Sequence, residues 1–197
     1  MTNEKKTAVM IFNPSKKYAF APEFRLGNSG VLQTHKELKI LGVMIQEDLK
    51  WDAHVNMMCQ KAITTITTYW RSEGQVHLEN CAPVWAGGVT KGQERQLQTV
   101  ARRAVAAITG PTREEYPDTC RRLGLEPDLR VRRLQLCKRF AQRTATKSRH
   151  QDLFTRLENP HATRGGGKVW KEPPCRTRRH LNSAKPHLTR LLNGETT

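Results

Sequence analysis

Residues 36–54, KELKILGVMIQEDLKWDAH, decide how the chain is read. The run LKILGVMI at 38–45 is apolar and β-prone, and it reads as a buried strand with Gly42 in its middle. A glycine inside a strand packs nothing and costs entropy, so Gly42 marks a place where backbone or a ligand comes close. The polar turn QEDLK at 46–50 follows, and Trp51 then opens a segment of different period. Trp51, Val55, Met58, Ala62, Ile66 and Tyr69 recur at steps of three and four, which predicts one face of a helix of about 20 residues. Methionine and aromatic residues at this spacing form core more often than a cofactor site.

Upstream, TAVMIF at 7–12 is a short strand-like run ended by Asn13-Pro14-Ser15. FRLGNSGVLQ at 24–33 has the pattern of a hairpin turning at residues 27–30. Three or four short strands of this kind make a small antiparallel sheet that needs helices to cover one face. Downstream, Ser72, Glu73 and Gly74 stop the first helix, and Pro83-Val84-Trp85 before Gly87-Gly88 predicts a packed turn. Thr90 and Gln93 form a capping box for a helix whose inner face carries Leu97, Val100, Ala104, Val105 and Ile108. Gly110-Pro111 ends it. Thr112 and Glu115 cap a short helix that reaches Leu123, with Gly124 terminating it. Pro127 starts another helix, with Leu129, Leu134, Cys137, Phe140 and Ala141 apolar, and Arg130, Arg132, Arg133, Lys138, Arg139 and Arg143 on its other faces. Residues 163–179, with three consecutive glycines and Pro173-Pro174, read as extended or disordered, and a last helix is expected over 186–192. The expected fold is α+β, mainly α. Residues 1–50 form the β segment, 51–147 a helical bundle, and 148–197 a basic, partly disordered tail.

The formal charge is +16. It is concentrated in the second half: 12 basic and 9 acidic residues over 1–100, 11 and 5 over 101–145, and 11 and 4 over 146–197. A pI near 10.2 makes a nucleic acid the leading partner, ahead of an anionic membrane surface. Cys59, Cys81, Cys120, Cys137 and Cys175 are odd in number and widely spaced, so reduced thiols in an intracellular (cytoplasmic or nuclear) protein are expected, without a disulfide framework or zinc site. The seven histidines are scattered, and Gly165-Gly166-Gly167-Lys168 lacks the strand and spacing of a phosphate-binding loop. No apolar run approaches the ~18 residues of a membrane span, and no signal peptide is recognisable. No cofactor and no small-molecule substrate is expected.

Five pieces in order carry a family resemblance. They are Lys6-Thr7 with the following VMIF, LKILGVMIQEDLKWDAHV, Val84-Trp85, ERQLQTVARRAVAAITG, and LGLEPDLRVRRLQLCKRF with DLFTRL. Together they resemble the C-terminal part of reverse transcriptases of non-LTR retrotransposons, LINE- or jockey-like in character. The resemblance implies that Lys6 lies at the end of the palm, where it is a proposed proton donor to pyrophosphate. It implies a primer grip at Leu41 and Gly42, and a thumb helix from Trp51 along the primer–template duplex. RSEGQVHLENCAPVW at 71–85 is shorter than the passage those enzymes carry between thumb and Val-Trp.

In that family the metal-binding aspartates precede the segment that matches Lys6-Thr7. Polymerisation needs two metal ions held by such carboxylates. This chain contains no adjacent aspartates; Asp48, Asp52, Asp118, Asp128 and Asp152 stand apart. The expectation is therefore a part of an RNA-directed DNA polymerase that binds RNA or an RNA–DNA duplex without synthesising DNA by itself. A piece of an active enzyme whose catalytic part lies upstream, and a degraded remnant, are the alternatives. The expected nucleic-acid contacts are Lys6, Leu41, Gly42, Arg122, Arg130, Arg132, Arg133 and Lys138, with Trp170 available for stacking.

Overall fold

The computed structural model describes residues 7–12, 23–25, 31–69, 75–147, 152–158 and 168–194. Lys6, the turns at Asn13-Pro14-Ser15 and 27–30, the helix stop at 72–74 and the triple glycine lie outside the described residues. The fold is mainly helical with small antiparallel sheets near the N-terminus.

The strand expected across Gly42 is instead a hairpin. β3 (Glu37–Ile40) and β4 (Val43–Gln46) pair antiparallel, Leu38 opposite Ile45 and Ile40 opposite Val43. The two-residue turn between them has positive φ at both positions, 48° at Leu41 and 88° at Gly42. That is the turn geometry whose twist matches the flanking strands, and it explains the glycine without any ligand. A leucine in this conformation is strained. A second two-stranded sheet pairs β1 (Phe24–Arg25) with β2 (Val31–Leu32). Residues 7–12 contribute one parallel bridge, Val9 to Thr34.

Helix α1 (Asp52–Tyr69) starts where predicted. Its first turn has unsatisfied backbone donors, and one of them, Ala53 N, gives its hydrogen to Gln46 Oε1 of β4 at 3.0 Å. The hairpin thereby sets the direction of the helix. α1 buries Val55, Met58, Cys59 and Ala62 against Leu97, Val100, Ala101 and Ala104 of α4 (Lys91–Thr109). Each large aliphatic side chain enclosed here contributes roughly 1.5–3 kcal/mol. The predicted capping box is complete: Gln93 N donates to Thr90 Oγ1 at 3.3 Å and Thr90 N to Gln93 Oε1 at 2.8 Å. Gln93 also donates to Asp52 at 2.7 Å, joining the heads of the two helices. Ile108, expected inside, is 39 % exposed.

Between α1 and α4 stand α2 (Gln75–Glu79), α3 (Ala82–Trp85) and a 3-10 turn over Ala86–Gly88. Trp85 is fully buried in the core with α1 and α4 and donates its indole N–H to Asn80 O at 2.8 Å. α5 (Tyr116–Arg122) starts after Glu115, whose side chain makes no capping bond, and Thr112 accepts from Glu114 N. α6 (Leu129–Thr146) is capped by Asp128 and starts two residues after the Pro127 expected. Gln98 of α4 holds that end, accepting from Leu129 N at 3.1 Å and donating to Pro127 O at 2.7 Å.

Described residues of the expected tail are folded onto α6. After α7 (Arg178–Leu181), α8 (Ala184–Leu192) places Leu188 and Leu191 with Cys137, Ala141 and Phe154 in a second core. Asn193 accepts from Val169 N and Trp170 N and donates to Trp170 O, so the strand-like segment beside it is fixed. Trp170 lies edge-on to Phe154 at 6.2 Å, partly buried, and is committed to this core rather than to stacking on a base.

Candidate nucleic-acid interface

The expected contact residues separate sharply once folded. Leu41 and Gly42 are at the hairpin tip, with Leu41 94 % exposed. Arg130 and Lys138 are exposed on α6. Arg122 is engaged by Glu114 at 3.0 Å, and this bond holds the Glu114 carboxyl below its ordinary pKa. Arg132 is half-buried in an ion pair with Glu79 at 3.1 Å. Arg133 departs furthest from expectation. It is 1 % exposed, paired with Glu94 of α4, and its guanidinium lies over the Trp85 ring at 5.4 Å from the centroid. Arg133 occupies the same stripe of α6 as Leu129, Cys137 and Ala141, so its position on the helix puts it inside whatever its charge.

What the structure assembles is a groove of about 380 Å³ between α4, α5 and the head of α6. Arg95 and Arg102 of α4 enter it from one side and Arg130 from the other. Arg102 stacks on Tyr116, 4.6 Å from the ring centroid, and Gln98 donates to the Tyr116 hydroxyl at 3.1 Å. Burial foremost, and the hydrogen bond with Cys120, raise the Tyr116 pKa, so the phenol stays neutral. Two carboxylates border the groove: Glu94 is paired with Arg133, and Asp128 caps α6 by accepting from the backbone N–H of Arg130 and keeps its charge. Arg95 and Arg102 make no ion pair among the described residues. Guanidinium groups beside a neutral aromatic, with one of the two bordering carboxylates paired to Arg133, suit a phosphodiester backbone.

Arg95 and Arg102 were not singled out from the sequence. They stand seven apart, and with Gln98 they form a stripe on the polar face of α4. That spacing was visible, but nothing in it showed that α6 would bring Arg130 alongside.

The other titratable groups are structural. Burial pushes the Cys59 and Cys137 thiols up to about 11, which makes them inert. Among the described residues no group of His, Cys, Asp or Glu could hold a metal ion, and no helix is long and apolar enough to cross a membrane. Comparison with known protein families, with curated proteins and with solved structures finds no match.

Proposed function

We propose that the chain binds RNA or an RNA–DNA duplex through its phosphate backbone, as the primer-grip and thumb part of a protein resembling a non-LTR retrotransposon reverse transcriptase, and does not synthesise DNA by itself. The observation that carries the binding reading is the convergence of Arg95, Arg102 and Arg130 on one groove in which Glu94 is already paired with Arg133. The tight hairpin at Leu41-Gly42, tied through Gln46 to a long helix that packs on a second, supports the family part of the reading.

The test is a binding titration with a short RNA–DNA duplex at 50 and 200 mM salt. Neutralising phosphates releases counterions, so affinity should fall steeply; a flat response would refute the electrostatic mode. Replacing Arg95, Arg102 and Arg130 together with Gln should lower the salt slope by about 2–3, with equal loss for unrelated sequences. A loss confined to one sequence would mean that bases are being read. Arg132 and Arg133 do not belong in this test, because their removal breaks ion pairs within the protein.

A further inference from the structure

A second cavity, of about 650 Å³, opens between the turn after β4, the head of α1, the 3-10 turn and the loop joining α7 to α8. It shares no lining residue with the arginine groove. Its size falls within the roughly 300–1,000 Å³ typical of small-molecule clefts, which also have apolar walls and a few polar groups. Ile45, Leu49, Val84 and the Trp51 indole supply the apolar walls.

The polar groups limit what fits. Trp51 lies with its indole nitrogen over Gly88, where an added Cβ would come within 2.5 Å of Nε1. That N–H has no acceptor among the described residues, and it is not sealed from the cavity. Arg179 at the rim gives one guanidinium N–H to the backbone carbonyl of Asp48 at 2.9 Å. It has no carboxylate partner among the described residues. Lys50 is paired with the Asp48 carboxylate at 3.1 Å, and the Asp52 carboxylate accepts from Gln93 at the head of α1. An inorganic anion would leave the apolar walls wet, and an aliphatic ligand would leave both the indole N–H and the guanidinium unanswered.

We infer that the cavity binds a nucleoside monophosphate, its base between Trp51, Leu49 and Val84 with a ring acceptor toward the indole N–H, and its phosphate on Arg179. A free mononucleotide and the terminal nucleotide of a strand present the same chemistry. The inference is independent of the groove and would hold for a protein that never binds a duplex.

Calorimetric titration of the full chain with AMP, adenosine and inorganic phosphate tests it. AMP should bind at least about tenfold more tightly than either fragment, since both halves of the cavity are used. Arg179→Gln should weaken AMP about tenfold and leave adenosine unchanged, the loss of one charge-assisted contact. Val84→Glu, at a half-exposed position, should weaken AMP in a chain whose circular dichroism is unaltered, and it carries the test if Arg179→Gln unfolds. The Arg95/Arg102/Arg130 variant should bind AMP normally, which separates failure of this site from failure of the groove. Displacement of AMP by a 5′-phosphorylated oligonucleotide would assign the site to a strand end, and lack of displacement to free nucleotide; either supports the inference. Absence of saturable AMP binding, equal affinity for phosphate alone, indifference to both cavity variants, or loss of AMP binding in the groove variant would each overturn it.

Discussion

Glu94→Gln should destabilise the protein by about 3–5 kcal/mol, read as a lower urea midpoint at unchanged slope. The reason lies in the asymmetry of the pair. Arg133 is enclosed, while the Glu94 side chain keeps 27 % of its surface in contact with solvent. Removing the negative charge leaves a guanidinium in the interior with a neutral amide oxygen and the Trp85 ring in place of its counterion. Its Nη1 is already without a hydrogen-bond partner among the described residues, so no spare contact exists to absorb the loss. Arg133→Met in the Glu94→Gln background should recover much of the stability, because an apolar side chain of similar length fills the stripe without a charge to bury. A Glu94→Gln unfolding free energy within about 1 kcal/mol of the parent, the value of an exposed pair, would show that the pair does not brace α4 to α6.

Lowering the pH from 7 to 5 should cost about 4 kcal/mol, through two buried histidines. His54 lies edge-on to Trp51 and Trp85, its ring centroid 5.4 Å from that of Trp85, and its Nδ1 accepts from Met44 N at 3.3 Å. His187 is wedged against Gly87, where an added Cβ would come within 2.8 Å of its Cγ. Burial, with Lys61 adding repulsion, pushes His54 down to about 4. Burial, with Arg190, does the same for His187. The Nε2 atoms of both are enclosed without an acceptor among the described residues, so neither ring has a place for a second proton's charge. Between pH 6.5 and 4 the unfolded chain therefore binds protons that the folded chain refuses. The stability is fully present above pH 6.5 and is lost as pH falls toward 4. At pH 5 this amounts to about 2 kcal/mol for each histidine, a fall in melting temperature on the order of 10 °C for a domain of this size. Most carboxylates are still ionised there, so His54→Gln should remove about half of the dependence. Equal melting temperatures at pH 7 and 5 would contradict buried neutral histidines.

Local chemistry accounts for the elements that were legible beforehand. The Thr90–Gln93 box needs only residues three apart, and it forms with both bonds. The period from Trp51 to Ala62 marks the buried stripe of α1, since a helix fixes which residues share a face. Gly42 was recognised as a place of close approach, and Asn80 Nδ2 does lie 3.2 Å from where a Cβ would stand. The glycine nevertheless sits in a hairpin turn and not inside a strand. A positive φ for a hairpin turn and a close approach within a strand leave the same glycine in the sequence, and strand pairing alone distinguishes them.

Charge was the least reliable guide to the site. Arg130, Arg132 and Arg133 are near neighbours on one basic helix, yet one borders a groove, one is half-buried on Glu79 and one is in the core. Their fates depend on Glu79 and Glu94, 53 and 39 residues away in the chain. The same holds for Arg179, which reaches Asp48 across 131 residues to border the second cavity. The sequence by itself determined the mainly helical class, the starts of α1 and α4, and the excess of positive charge. Only the tertiary structure decided which cations face solvent and where two cavities open. Helix starts and apolar stripes arise from residues a few positions apart, whereas the partner of a charge is whatever packing brings beside it.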